Sequence, residues 1–188
     1  MTDAPARALE RLGYEAFRPG QRETLEAVLA GRDVLAILPT GAGKSLVFQL
    51  AAELLDGLVV VASPLIALMR DQAAAAGRHG QDAAVLESTQ AGARTRDELE
   101  RALGGRADLL FVTPERLDRP AFTRRLRGAR VALLVIDEAH CVSTWGHAFR
   151  PAYLSLAGAA SRWGGRRCLP SRPRPRLRCG RTSSRCWP

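Results

Sequence analysis

The stretch Leu38-Pro39-Thr40-Gly41-Ala42-Gly43-Lys44-Ser45 constrains the fold of this chain more than any other feature. Five apolar residues, 34–38, precede its turn and predict a buried strand, and an apolar segment from Lys44 to Leu55 predicts a helix after it. Two glycines between a strand and a helix form a nest of backbone N–H groups, where the helix dipole also favours a phosphate. The sequence therefore predicts a phosphate-binding loop at residues 40–45.

Lys44 and Ser45 supply the side chains that a bound nucleotide needs at such a loop. The ammonium can reach the outer phosphates, and the hydroxyl can ligate Mg²⁺. Of the 28 basic residues 27 are arginine, and Lys44 is the only lysine, so this position requires a compact charge on a flexible stem. Leu38 replaces the first glycine of the full G-x-x-x-x-G-K-[ST] pattern, and a glycine turn before a core helix is the alternative interpretation.

Asp137 and Glu138 follow the most apolar predicted strand, Val131 to Ile136. An aspartate at a strand end can hold Mg²⁺, and the next carboxylate can orient and deprotonate an attacking water. Two solvated charges are the alternative. Further strands are predicted at 58–62 and 109–112, and helices at 4–12, 21–30, 65–76 and 95–104. This alternation indicates an α/β fold with a parallel sheet covered by helices on both faces and ligands at the carboxyl edge.

Composition limits the class of protein. A chain of 188 residues with 46% hydrophobic content is expected to form one globular domain. Because no apolar run reaches membrane-spanning length and no export signal is visible, we expect a cytoplasmic protein that does not contact membranes. The four cysteines form no C-x-x-C pair, which fits a reducing compartment. Of the net charge of +9, eight arginines in residues 165–188 account for +8, so the basicity belongs to the tail.

These stretches resemble the RecQ family of superfamily 2 DNA helicases over residues 8 to about 163. Tyr14 with Phe17-Arg18-Pro19-Gly20-Gln21 is similar to that family's adenine-recognition motif, although a hydrophobic staple before a helix is the plainer interpretation. The resemblance implies that Tyr14 stacks on the base and that Arg18 and Gln21 contact it. Residues 40–45 resemble motif I, and motif Ia is matched by Ser63-Pro64-Leu65-Ile66-Ala67-Leu68-Met69-Arg70-Asp71-Gln72.

Two further motifs support the resemblance. Thr113-Pro114-Glu115-Arg116-Leu117 is similar to a DNA-strand motif, and Asp137-Glu138-Ala139-His140 is similar to motif II. The segment Trp145-Gly146-His147-Ala148-Phe149-Arg150-Pro151-Ala152-Tyr153 resembles the aromatic-rich loop that couples single-stranded DNA to ATP hydrolysis. Three aromatics at i, i+4 and i+8 there would otherwise predict a buried helix face. The resemblance implies DNA contacts from Ser63, Thr113, Arg116, Trp145, His147, Phe149 and Arg150.

The resemblance implies a RecA-like P-loop NTPase lobe. Its function would be the ATP-binding lobe of a 3′-to-5′ DNA helicase that couples ATP hydrolysis to translocation on single-stranded DNA and unwinding of partly duplex DNA in repair and recombination. ATP and Mg²⁺ are the implied cofactors, with Mg²⁺ held by Ser45 and Asp137. The nucleotide would contact Tyr14, Arg18, Gln21, Thr40, Gly41, Ala42, Gly43, Lys44 and Ser45. The implied catalytic set is Lys44, Asp137, Glu138 and His140, with His140 linking the site to DNA.

The resemblance ends after Gly164, which divides the chain into a helicase domain at 1–164 and an arginine- and proline-rich tail at 165–188. The family has a strand ending in Thr-Ala-Thr here, between the strand before the phosphate loop and the Asp137 strand. In this chain three prolines, at 170, 173 and 175, disfavour a central strand, and shifted codons over 170–175 permit L-T-A-T-A. We therefore expect a disordered or out-of-frame tail, a weakened sheet, a missing second RecA-like lobe and an inactive fragment.

Two alternative functions belong to other classes. A non-enzymatic nucleic-acid-binding remnant would use the arginines of the tail to bind phosphates without sequence preference. An unrelated P-loop kinase would use the same phosphate loop, but the sequence shows nothing that resembles an acceptor site or a lid.

Overall fold

A computed structural model describes residues 3–39, 41–87, 93–138 and 167–172, with the backbone alone described at 93–94 and 167–172. The helices in these ranges are α1 (Ala4–Arg11), α2 (Gln21–Leu29), α3 (Lys44–Leu54), α4 (Ile66–Arg78), α5 (Ala93–Leu103), α6 (Pro114–Leu117) and α7 (Pro120–Arg127). The strands are β1 (Ala36–Ile37), β2 (Leu58–Ala62), β3 (Ala83–Leu86), β4 (Leu109–Val112), β5 (Val131–Ile136) and β6 (Arg167–Arg172).

All six strands form one parallel sheet in the order β1-β6-β5-β2-β4-β3. Ala62 at the end of β2 is in register with Val112 of β4 on one side and with Ile136 of β5 on the other. The carboxyl ends of the three central strands therefore lie level at one edge. The polar residues that follow them meet there, as expected for an α/β fold.

The sheet is buried on both faces. Val60 of β2 belongs to a core that includes residues of α5, α6 and α7, whereas Val59 and Val61 belong to a core that includes residues of α1, α2, α3 and α4. Alternate residues of a strand point to opposite faces, so an unbroken apolar run such as β2 feeds both cores. The predicted parallel sheet with helices on both faces is confirmed.

Several short elements differ from the sequence-based expectation. β1 spans two residues rather than 34–38, and Leu35 and Ile37 are 56% and 52% exposed. β3, α6 and α7 were not predicted from the sequence. β3 has only four residues and α6 only four, too few to show a clear period. α7 did carry a helix signal, with a proline at its start, Phe122 and Leu126 four apart, and Gly128 at its end.

The expectation that the prolines at 170, 173 and 175 disfavour a central strand is wrong for residues 167–172. They form β6, between β1 and β5, where the resemblance placed a motif III strand. Pro170 has no N–H to donate, and it lies at the last position of the pairing with β5; from Ser171 onward β6 pairs with β1 instead. Pro170 therefore removes one backbone donor from the β6 hydrogen bonds, and β6 still forms. The division of the chain at residue 164 stays a prediction.

No helix within the described ranges is long and apolar enough to cross a membrane.

Candidate nucleotide-binding site

The glycine loop between β1 and α3 has the backbone that its sequence requires. Gly41 and Gly43 have φ values of +77° and +73°, in the left-handed region that side-chain-bearing residues rarely adopt. Gly43 is the N-cap of α3, so the helix begins at Lys44 with its N-terminus at the loop. A helix N-terminus and adjacent backbone N–H groups favour a bound phosphate.

Gln21 holds this loop from the side. Its side chain is 1% exposed, and Nε2 donates to the carbonyl oxygens of Ala42 at 2.9 Å and Gly43 at 3.0 Å. Its Oε1 accepts from the backbone N–H of Arg18 at 2.8 Å, and the Arg18 Nη1 donates to the Gly41 carbonyl at 2.5 Å. Both residues were predicted to contact the base. That contact stays a prediction, and here their polar groups clamp the loop.

Tyr14 lies beside the loop at the wall of a cleft. Tyr14 is 39% exposed, and its ring lies 5.6 Å from the ring of His79, centroid to centroid. The cleft has a volume of about 300 Å³. Its lining joins the predicted base-recognition residues to the loop and to α4: Tyr14, Ala16, Arg18, Gln21, Gly43, Ser45, Leu46, Gln49, Asp71, Gln72 and Ala75.

Ser45, in the first turn of α3, contacts α4 across this cleft. Its Oγ accepts a hydrogen bond of 3.2 Å from Nε2 of Gln72. Gln72 belonged to the predicted motif Ia stretch, but the sequence suggested no role for it. A signal was present, because Met69, Gln72 and Ala76 form the buried face of α4 and a glutamine in such a stripe is unusual.

Lys44 and Asp137 line a second, small cavity of about 10 Å³ at the start of α3. The Lys44 Nζ lies 3.5 Å from the carbonyl oxygen of Pro39 at the beginning of the loop. Asp137 is 4% exposed, and its backbone N–H donates to the Ala62 carbonyl at 2.8 Å, which extends the β2–β5 pairing by one residue. The structure thus brings together the lysine of the loop and the aspartate of a separate strand.

Glu138 follows Asp137 with a φ of 51°, the one non-glycine residue in the described ranges that has a positive φ. Glutamate rarely adopts this conformation, and strained backbone of this kind concentrates at functional sites. The conformation marks Glu138 as a candidate catalytic residue on grounds that the sequence does not reveal.

Ser63 and Thr113 lie side by side at the carboxyl edge. The Ser63 N–H donates to the Val112 carbonyl at 3.1 Å, and both residues are at most 2% exposed. In the described part of the chain, neither hydroxyl has a hydrogen-bond partner. Buried hydroxyls usually have partners, so these two suit a site that a ligand completes.

Arg116 is buried and contacts two other elements of the domain. It is 9% exposed, its Nη1 donates to the Glu87 carbonyl at 2.6 Å, and its guanidinium lies 5.7 Å from the ring centroid of Phe122. Burial lowers the pKa of Arg116, and the charge of Arg119 lowers it further. The carboxylate of Glu87 accepts from Arg70 of α4 at 2.7 Å. The predicted DNA contact of Arg116 stays a prediction; the structure shows a link between β3 and α6.

The remaining predicted site residues lie outside the described ranges. They are Thr40 of the phosphate loop, His140 after the carboxylate pair, and the predicted DNA-binding residues Trp145, His147, Phe149 and Arg150.

The chain is similar to known helicases. The family model for the DEAD/DEAH box helicase matches residues 18–172, which is more than half of the chain. The chain is 40% identical over 161 residues to the ATP-dependent DNA helicase RecQ of Pasteurella multocida, covering 86% of this chain and 24% of that protein. It is 45% identical over 145 residues to the RecQ helicase of Bacillus subtilis, covering 77% of this chain and 24% of that protein.

A solved structure shares the fold. The hypothetical ATP-dependent RNA helicase from Sulfolobus tokodaii matches 92% of this chain and 50% of its own with a TM-score of 0.66, at 20% sequence identity. That likeness shows a common fold and no more.

The fold is a helicase-type α/β domain, and the chain belongs to the DEAD/DEAH box helicase family. The resemblance to RecQ helicases that the motifs predicted is confirmed by the relatives. The chain spans about a quarter of the length of these two curated relatives.

Proposed function

We propose that this chain is the ATP-binding lobe of a RecQ-type, ATP-dependent DNA helicase. One observation carries the proposal: Lys44 and Asp137 line one cavity at the start of α3, while Tyr14 and Ser45 line a cleft that reaches the same helix turn. A nucleotide has phosphates and a base. The residues of the first turn of α3 offer charged groups to the phosphates, and Tyr14 offers an aromatic ring to the base.

The residues present fit a Mg²⁺ ion. A hydroxyl at 45 and a carboxylate at 137 are oxygen ligands of the kind Mg²⁺ accepts, and this ion commonly binds one or two protein groups, phosphates and water. Asp137 is 4% exposed and lines the same cavity as Lys44 at the start of α3. When bound, the ion would neutralise charge on the phosphate oxygens. Lys44 would bind the outer phosphates, and Glu138 would orient the attacking water.

DNA is the proposed second ligand, because the RecQ relatives are named as DNA helicases. Ser63 and Thr113 would contact the strand at the carboxyl edge, and Trp145, Phe149 and Arg150 would stack on bases and bind phosphate. We propose 3′-to-5′ movement on single-stranded DNA, coupled through His140 and His147. Unwinding in repair and recombination, in the cytoplasm, would need the further length that the relatives have, so the chain alone would not unwind duplexes.

The test is ATP binding by the 188-residue chain, measured by isothermal titration calorimetry in the presence of Mg²⁺. Lys44→Ala is expected to abolish binding, because the ammonium is the one side-chain cation that the predicted loop supplies. Arg124→Ala, on the exposed side of α7, is the matched control and should leave affinity unchanged.

Unchanged ATP affinity in Lys44→Ala would contradict the proposal. A single-stranded oligonucleotide added to the same titration distinguishes the alternative of a nucleic-acid-binding remnant. That alternative predicts DNA binding without ATP binding, lost when residues 173–188 are deleted.

A further inference from the structure

Gln72 of α4 has a contact that the proposed function does not yet use. Its side chain is 9% exposed and lines the cleft together with Ser45. Nε2 donates to the Ser45 Oγ at 3.2 Å, whereas Oε1 is buried and has no hydrogen-bond partner among the described residues. The amide nitrogen of Gln72 therefore has a hydrogen-bond partner, and the amide oxygen has none among the described residues.

Such an arrangement is unfavourable in an empty site. A buried acceptor without a partner costs about 1–3 kcal/mol, and native proteins keep few of them. The neighbours of Gln72 on the buried face of α4 are Met69 and Ala76, so an apolar side chain would pack there without that cost. The unsatisfied oxygen is therefore an acceptor that a donor at the cleft can use.

The Ser45 hydroxyl can be that donor. A serine hydroxyl has one donor hydrogen and two lone pairs, and in the nucleotide-free site Gln72 occupies one lone pair. If the lone pairs of Ser45 Oγ bind a cation, the hydroxyl hydrogen needs an acceptor. A candidate is Oε1 of Gln72, because the amide of Gln72 already contacts this hydroxyl. The exchange requires a half-turn of the amide about its terminal torsion, which is a soft, roughly two-fold rotation.

We propose that Gln72 is a positioning residue for Ser45: its Nε2 holds Oγ in the empty site, and its Oε1 accepts the hydroxyl hydrogen when Oγ binds the Mg²⁺ of MgATP. The inference rests on the proposed function, because it assumes that nucleotide and Mg²⁺ bind at this loop. It assigns to α4, which begins three residues after Ser63, a direct effect on the affinity for the metal ion.

The experiment measures ATP affinity of the 188-residue chain with Mg²⁺ and with EDTA, for wild type and Gln72→Met. The matched control is Gln81→Met, because Gln81 is also buried, also has an unpartnered Oε1, and does not line the cleft. We expect Gln72→Met to reduce the gain in affinity due to Mg²⁺ by about 3- to 10-fold, the equivalent of one hydrogen bond, with little change in EDTA. Gln81→Met should show the same gain in ATP affinity due to Mg²⁺ as the wild-type chain.

A spectroscopic measurement on the wild-type chain gives a second readout that does not depend on a variant folding. The Gln72 side-chain NH₂ signals, assigned through bonds in ¹⁵N-labelled protein, should shift when Mg²⁺ is added to the ATP complex. The Gln81 signals should not shift.

Three results would overturn the inference alone: equal loss of affinity with and without Mg²⁺, an unchanged gain due to Mg²⁺ in Gln72→Met, or Gln72 signals that do not respond to Mg²⁺. Wild-type chain that binds no ATP in either condition would overturn the proposed function, and this inference with it.

Discussion

Alanine at Gly43 tests whether the Gln21 clamp shapes the phosphate loop. Gly41 and Gly43 both have left-handed backbone, with φ values of +77° and +73°, so alanine at either position costs about 1–2 kcal/mol of backbone strain. They differ in their surroundings. A Cβ on Gly43 would lie 2.6 Å from Nε2 of Gln21, whereas nothing lies within 4 Å of a Cβ on Gly41.

The difference in free energy of unfolding between the two variants measures the contribution of the Gln21 hydrogen bonds. Nε2 of Gln21 would have to move, and it would lose its hydrogen bonds to Ala42 and Gly43. Each such bond contributes about 0.5–1.5 kcal/mol, so Gly43→Ala should reduce the free energy of unfolding by about 1–3 kcal/mol more than Gly41→Ala. For a domain of this size, that difference lowers Tm by about 2 to 12 °C.

The assay is urea and thermal unfolding followed by circular dichroism, for both alanine variants in the wild-type and Gln21→Ala backgrounds. In the Gln21→Ala background, Gly43→Ala should lower the free energy of unfolding no more than Gly41→Ala does, because only the backbone strain common to both positions remains. Equal unfolding of the two variants in the wild-type background, or an extra cost at Gly43 that persists without Gln21, would refute the reasoning.

Two further predictions concern β6 and the strained glutamate. Because β1 pairs only with β6 in the described part of the sheet, ending the chain after Arg166 should lower both Tm and ATP affinity, whereas ending it after Arg172 should change neither. Glu138→Gly should relieve the positive φ of 51° and raise the free energy of unfolding by about 1 kcal/mol.

Calorimetry and thermal unfolding check the first of these predictions. Identical behaviour of the two shortened chains would show that β6 does not support β1. Urea unfolding of wild type and Glu138→Gly checks the second. A glycine variant that is less stable than wild type would mean that the Glu138 side chain contributes more to stability than its backbone strain costs.

Local sequence determined the elements that carry the nucleotide chemistry. The unbroken apolar runs of β2, β4 and β5 require burial on both faces, which a parallel sheet provides. The glycines at 41 and 43 specify a left-handed turn before α3 because no other residue adopts that backbone cheaply. These properties depend on a few neighbouring residues, so they can be predicted without knowing which strands pair.

Sequence also misled where a long-range partner outweighed a local preference. The proline at 170 argues against a strand, yet β6 lies between β1 and β5 and loses a single backbone donor there. The hydrogen bond from the Arg116 guanidinium to the Glu87 carbonyl, at a different strand end, was likewise not foreseen from the sequence, and the predicted DNA contact of Arg116 stays a prediction.

The tertiary structure alone decided which side chains act together. Gln21 reaches the loop carbonyls of Ala42 and Gly43, and Gln72 reaches the hydroxyl of Ser45, across sequence separations of 21, 22 and 27 residues. Such contacts depend on the order of the strands and on the face of the sheet against which each helix packs. Hydrophobic pattern and turn chemistry act over a few residues, so they specify the elements, and only the packed sheet brings distant polar groups within hydrogen-bonding distance.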